Sequence, residues 1–234
     1  MNRRSPEAAP AVAGLVRVSS VDWPGRLAAV VFLQGCPWQC TYCHNPALME
    51  ARTAGAVPWD DVLAFLDRRK GLLDGVVFSG GEPTLQPALS RAIDQVRERG
   101  YDVGLHTGGA WPRRLVRLLP KIDWVGIDIK HLPERYAHIT GAGPSGAAAW
   151  ASLEAVIASG VDYEVRTTVD PTVHTRDDVV ELANRLSAHG VRRHVLQEAR
   201  PDGARPDWAG RLGSLRLRDV VPDHDLPGLQ RRAA

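Results

Sequence analysis

The chain holds three cysteines, all within the run GCPWQCTYCHNP that spans Gly35 to Pro46: Cys36, Cys40 and Cys43. An odd count at such tight spacing argues against a disulfide framework and for a metal or catalytic role in a reducing compartment. Three thiolates spaced C-x3-C-x2-C on one short loop can converge on a single metal centre. Four would close an iron–sulfur cluster, whereas three leave one iron without a protein ligand. By analogy with zinc, an open coordination position separates a catalytic metal from a structural one. The competing reading is a closed Cys3His zinc site with His44 as fourth ligand, although Cys43 and His44 are adjacent, an awkward geometry for two ligands of one tetrahedral ion.

Two further segments carry unusual polar residues. Ser79–Thr84 reads SGGEPT. Its glycines let backbone approach a ligand closely, and Glu82 adds a carboxylate suited to a cationic amine; a Gly-Gly turn with an N-capping acid explains it equally well. Asp128 and Lys130 close the run VGIDIK. Strand alternation puts both on one face, where a core strand should carry no charge; the plainer alternative is a mutual salt bridge at the rim. By contrast, Gly141–Gly146 (GAGPSG) matches a dinucleotide fingerprint only in letters, since it follows the polar, helical-looking HLPERYAHIT and contains Pro144. It is read as a loop. His131, His138, His174, His189, His194 and His224 share no spacing with cysteines or acids and read as surface or core histidines.

These groups need elements to position them. Strands are predicted at Leu27–Leu33, Gly75–Ser79, Asp102–Thr107, Trp124–Lys130, Tyr163–Val169 and Arg193–Gln197. Helices are predicted near Pro58–Leu72, Pro87–Arg99, Pro112–Leu119, Ala147–Ser159 and Arg176–His189. Gly100, Gly160 and Gly190 each follow a helical pattern, where a left-handed residue ends the helix. Runs such as VVF and VGIDI, apolar on both faces, imply a parallel sheet covered by helices. Periodicity leaves open a doubly wound sheet or an incomplete barrel; either puts reactive groups at the C-terminal edge of the strands. The cysteines, SGGEP, His106–Thr107, Asp128–Lys130, Arg166 and Gln197 all fall at predicted strand ends.

Composition sets the outer bounds. The 234 residues, 44% of them apolar, suffice for one ordinary domain with a real core. A net charge of +2 does not imply a polyanion partner. No apolar run approaches the roughly 18–20 residues of a membrane helix, and MNRRSPEAAPAVAG has no continuous apolar stretch of the secretory kind. The reading is a soluble cytoplasmic protein with a disordered tail over 1–13, a domain over 14–200 and a C-terminal extension over 201–234.

C-x3-C-x2-C after the first strand, with GGEP after the second, resembles the radical S-adenosylmethionine (SAM) superfamily. CHNP is closer to the activating enzymes of glycyl-radical proteins, and VDWPGRLAAVVFLQGCPWQCTYCHNP is similar to the short activating proteins of anaerobic ribonucleoside-triphosphate reductase. The resemblance covers Gly14 to Gln197. It implies a single-domain α/β fold, a partial (β/α)6 TIM-type barrel with parallel strands, and a [4Fe–4S] cluster on Cys36, Cys40 and Cys43 whose open iron chelates SAM.

By family position, the Gly80–Gly81–Glu82 turn would hold the SAM amino group. Tyr42 and His44 would lie against the cofactor, Thr107 would stand nearby, Asp128 and Lys130 would contact ribose and carboxylate, and Gln197 would lie near the adenine. Arg166 would reach the carboxylate or the substrate. The implied chemistry is one-electron reduction, cleavage of the sulfonium C–S bond, and hydrogen abstraction by a 5′-deoxyadenosyl radical from a glycine of a partner. That partner is a glycyl-radical enzyme, with flavodoxin or ferredoxin as electron donor and no nucleic acid or membrane involved. His106 stands where such enzymes often carry an acid that helps bind a cation. The turn Asp22–Trp23–Pro24–Gly25 is family-typical and could help receive the partner's glycine loop. Two alternatives remain: a small-molecule enzyme such as 7-carboxy-7-deazaguanine synthase, which favours Cys-Asp-Thr after the last cysteine, and a non-enzymatic iron–sulfur or zinc redox-sensing module.

Overall fold

The computed structural model describes residues 9–226 and 228–233. Strand β1 (Val12–Ser19) runs antiparallel to β2 (Ala28–Leu33), and six further strands follow, each parallel to the one before: β3 (Gly75–Gly80), β4 (Asp102–Thr107), β5 (Trp124–Asp128), β6 (Asp162–Val169), β7 (His194–Glu198) and β8 (Gln230–Ala233). Sheet order is sequential from β1 to β8, with no point at which it reverses. A doubly wound sheet needs such a reversal, so the order decides for the incomplete barrel.

Curvature follows from packing. On one face, Ala29, Val31 and Leu33 of β2 and Val76 and Phe78 of β3 join the large core shared with α1 (Trp59–Asp67) and α2 (Leu89–Arg97). On the other, Ala28 and Val30 of β2, Val77 of β3 and Trp124 of β5 share a small cluster with Trp23. Strands that are not neighbours can share a cluster only where the sheet wraps round it. Trp23 stacks on Trp124 at 5.7 Å and 20° and fills the interior. Its indole lies so close to Gly75 that a β-carbon there would come within 2.8 Å.

The covering helices continue with α3 (Pro112–Leu118), α4 (Tyr136–Thr140), α5 (Ser145–Ser159) and α6 (Arg176–Ala188). Asp60 and Asp61 stand in the first turn of α1, where the helix dipole favours them. Thr175 and Asp178 form a reciprocal capping box on α6. Helix α5 opens at Ser145, inside the GAGPSG segment. Gly146 lies so near the Pro133 carbonyl that no side chain fits; packing explains that glycine.

One sequence expectation changes, at the N-terminal end, and the packing of 201–234, which the sequence leaves open, becomes visible. Of the tail predicted over 1–13, residues 1–8 lie outside the described ones, but Ala11 and Val12 are buried and β1 begins at Val12. Gln86 draws this stretch in, accepting from the Ala11 N–H at 2.8 Å and donating to its carbonyl at 3.0 Å. The described part of the extension over 201–234 packs on the barrel through α7 (Pro206–Leu212), α8 (Leu217–Val220) and β8, which pairs with β7. Trp208 of α7 is fully buried, and Arg232 of β8 donates to both oxygens of buried Glu164 at 3.0 and 3.1 Å. Among the described residues no helix is long and apolar enough to cross a membrane.

Two histidines, His131 and His174, are buried in the fold, and His194 is half-buried. His131 and His174 stack at 4.8 Å, and His194 meets the Thr167 hydroxyl at 2.9 Å. Burial pushes the His194 imidazole down from 6.5 to about 4; burial and the neighbouring His174 take His131 to about 4 as well. A depressed histidine is neutral when folded and takes up its proton more readily when unfolded. Stability is therefore retained above about pH 6.5 and lost as pH falls toward 4, by up to about 1.4 kcal/mol per pH unit for each such group. Urea unfolding at pH 7.5, 6.5 and 5.5 should show a flat upper limb and a falling lower one. His194→Asn should reduce the lower slope by about one proton.

Candidate active site

The C-terminal ends of the parallel strands open into a cavity of about 250 Å³. Cys36, Cys40, Tyr42, Cys43 and His44 line it from the loop after β2. Gly80, Gly81 and Glu82 follow β3, and Thr107 ends β4. Asp128 and Lys130, Arg166, and Gln197 complete it from β5, β6 and β7. Every site residue read from the sequence borders this one space, as do Asp22, Trp38, Asn45, Met49, Ser79, His106, Gly108 and Thr168.

The cysteine loop is pinned along its length. Gly35 N–H donates to Leu48 O at 2.7 Å and Cys36 N–H to Met49 O at 3.1 Å. Gln39 and Thr41 N–H groups donate to the carbonyls of Thr140 and Ile139, both at 2.9 Å. The three thiols are free. Burial pushes Cys36 up to about 12 and raises Cys40, so a metal is what would hold them as thiolates. Among the described residues no three His, Cys, Asp or Glu side chains are grouped as ligands of a single ion. His44 Nε2 accepts from the Arg200 N–H at 3.2 Å. The second fact, a His44 nitrogen already engaged, counts against the closed Cys3His zinc site.

Opposite the thiols, the glycines do more than admit a ligand. A β-carbon on Gly80 would strike the Leu33 backbone, and one on Gly81 the Gly35 carbonyl, so they let the end of β3 pass against the cysteine loop. The Glu82 N–H donates to that same Gly35 carbonyl at 2.9 Å. Glu82 differs from the expectation that its carboxylate would face an amine. It is 2% exposed and accepts from Thr84 N–H at 3.1 Å, Thr84 Oγ1 at 2.5 Å, Thr107 Oγ1 at 2.8 and 2.9 Å and Gly108 N–H at 2.9 Å. These donors fill the carboxylate. Glu82 is a positioning residue that ties the end of β3 to the end of β4, and Thr107 is its partner.

Asp128 pairs with Arg166 Nε at 2.9 Å and Lys130 Nζ at 3.4 Å. Burial alone would raise its carboxyl; the two cations beside it bring it below the usual range. The mutual salt bridge is therefore present, with Arg166 as a third member. Arg166 also donates to Gly126 O at 3.3 Å, and its Nη1 lies 3.2 Å from His106 Nε2. That nitrogen is 2.7 Å from the Asp22 carbonyl, which only accepts, so Nε2 carries the proton and the guanidinium contact is not a hydrogen bond. Burial and Arg166 depress His106 to about 3, leaving it neutral. Lys130 Nζ lies 5.5 Å from the Tyr42 ring centre, and the buried Tyr42 hydroxyl has no hydrogen-bond partner among the described residues. Gln197 accepts from Thr168 at 3.4 Å.

Asp22, read from sequence as part of a turn facing the partner, and Ser79, the first residue of SGGEPT, also line the cavity. Asp22 sits in a Pro-Gly turn whose reach into the barrel depends on Trp23 seating on Trp124. Ser79 precedes the glycine pair and carries no charge to mark it. Trp38 is 5% exposed and packs edge-on against Tyr136 at 5.8 Å, an ordinary packing role.

The model of the Radical SAM superfamily matches residues 30–186. A protein of Methanocaldococcus jannaschii, named provisionally as a glycyl-radical enzyme activating enzyme, is 32% identical over 200 residues, 82% of this chain and 81% of that one. The pyruvate formate-lyase-activating enzyme of Clostridium pasteurianum is 35% identical over 171 residues, 70% of this chain and 71% of its own. In fold, the Streptococcus suis protein SuiB, solved bound to S-adenosylmethionine, matches 86% of this chain at a TM-score of 0.62 and 15% identity. This chain spans 48% of SuiB.

Proposed function

The chain belongs to the radical SAM superfamily, and from that premise we propose that it is an activating enzyme that generates a glycyl radical on a partner protein. The residues present fit the two groups the family implies. Three free thiols border a cavity that also holds a buried, unpartnered Tyr42 hydroxyl and a charged pair able to meet a zwitterionic ligand. That shared cavity is the observation that carries the proposal.

In this reading Cys36, Cys40 and Cys43 hold three irons and leave the fourth to the amino-acid end of SAM. When bound, the cluster and SAM supply one-electron reductive cleavage of the sulfonium and the hydrogen-atom abstraction that follows. The chain itself binds, orients and excludes water. The Gly80–Gly81 turn offers backbone for the amino group, fixed in place by Glu82 and Thr107. Lys130 meets the carboxylate, and Asp128, held ionised by Arg166, accepts from ribose hydroxyls. Tyr42 and His44 flank the cofactor, and Gln197 faces its adenine. No step asks the protein for a general acid or base.

The names and coverage of the two relatives support a glycyl-radical enzyme as partner. The segment VDWPGRLAAVVFLQGCPWQCTYCHNP supports anaerobic ribonucleotide reductase within that group, with flavodoxin or ferredoxin as electron donor. The reconstituted chain, SAM and a reductant should be mixed anaerobically with an anaerobic ribonucleotide reductase and, separately, with pyruvate formate-lyase. The expected result is a glycyl-radical doublet in electron paramagnetic resonance on the reductase alone. A doublet on the lyase alone would reassign the partner, and none on any glycyl-radical protein would overturn the activating role.

A further inference from the structure

The segment after β7 closes over the outer half of the cysteine loop. Arg205 donates through Nη2 to the Cys40 carbonyl at 3.2 Å and to the Thr41 carbonyl at 3.5 Å, and its buried Nε has no partner among the described residues. Arg200 N–H donates to His44 Nε2 at 3.2 Å. Gly203 passes so near His44 that a β-carbon would lie 2.6 Å from the His44 carbonyl. Asp170, fully buried beyond the end of β6, joins the two segments from below: its Oδ2 accepts from Thr41 Oγ1 at 2.5 Å and from Trp208 Nε1 at 3.0 Å. Trp208 belongs to the same core cluster as Trp38, Cys40 and Tyr42.

We propose that Arg205, Gly203, Asp170 and Trp208 form a clasp that positions residues 39–44 and sets how fast iron leaves the cysteine loop. The proposal rests on the cluster reading above. Its physical basis is that residues 39–41, besides their core packing, have two backbone bonds to α4, and this segment and Asp170 add the side-chain bonds to the Cys40 and Thr41 carbonyls and the Thr41 hydroxyl. A charged donor on two loop carbonyls resists local opening more than a neutral one.

Arg205→Gln and Gly203→Val test it; both positions are at least partly exposed, so neither empties the core. In the metal-free chain, amide hydrogen exchange over 39–44 should quicken roughly tenfold in Arg205→Gln, the loss of one charge-assisted hydrogen bond. Exchange elsewhere and the melting temperature should stay as in the parent, and Arg205→Lys should restore much of the protection. In the reconstituted chain, iron release to a chelator should quicken by a similar factor in both variants. Unchanged exchange over 39–44 would overturn the clasp, and so would faster exchange spread evenly over the chain. If the parent took up no iron, the cluster reading would fail while the exchange arm still decided the clasp.

Discussion

A Cys40→Ala variant is expected to lose the iron–sulfur chromophore and SAM cleavage together. Cys40 is the most buried of the three cysteines, at 8% exposure, and stands in the core cluster with Trp38 and Tyr42. Two remaining thiols cannot hold a four-iron cluster, and no replacement is at hand, since His44 Nε2 is committed to Arg200 and Glu82 to Thr84, Thr107 and Gly108. Loss of a supporting contact around a metal costs about 10–100-fold, and loss of a ligand should exceed that. Iron content after reconstitution, absorbance near the cluster band and 5′-deoxyadenosine formation should all fall to background. The apo fold should survive, because removing one sulfur from the core costs only about 1 kcal/mol. Retained iron with retained cleavage would show that another group completes the cluster.

Glu82→Gln is expected to spare the cluster and damage SAM binding. The native carboxylate only accepts, and its donors come from the end of β3 and from the end of β4. An amide turns one oxygen into a donor that faces other donors, so at least one buried group loses its acceptor, at a cost of about 1–3 kcal/mol. In a chain of this size that lowers the melting temperature by about 2–12 °C. The functional effect is larger than the stability effect alone. The Glu82 N–H is bonded to the Gly35 carbonyl, so a displaced turn shifts the glycine pair relative to the cysteines. SAM affinity should fall at least about tenfold with iron content unchanged. Equal loss of iron and SAM binding would mean that Glu82 supports the loop and not the cofactor site.

The central parallel strands were legible because both faces of their interiors are buried. VVF and VGIDI carry no polar alternation to mistake for a half-exposed sheet, and β3, β4 and β5 lie within two residues of their predicted ends. The rim residues were legible for the same reason: charges such as Asp128 and Lys130 stand out against apolar strands. β1 was not, since Val16 and Val18 are 42% and 54% exposed at an edge and interrupted by Arg17. Strand β8, reading QRRA, has no apolar signal at all. It pairs because β7 offers a free edge and Glu164 lies beneath it to take Arg232. For Glu82 the N-capping alternative was legible, since its side chain accepts from Thr84 N–H two residues on; its bonds to Thr107 and Gly108 were not, because those residues lie 25 and 26 positions away and meet it only through the barrel. The clasp depends on contacts spanning 129 and 165 residues, which no local pattern encodes.

The most direct test of the central claim is 5′-deoxyadenosine formation from SAM by the anaerobically reconstituted, dithionite-reduced chain. The account predicts that the parent chain forms it and that the product vanishes when any of Cys36, Cys40 or Cys43 is replaced by alanine. A chain that carries a reduced [4Fe–4S] cluster and forms none, with or without a glycyl-radical partner, would contradict it. So would a chain that takes up zinc in place of iron.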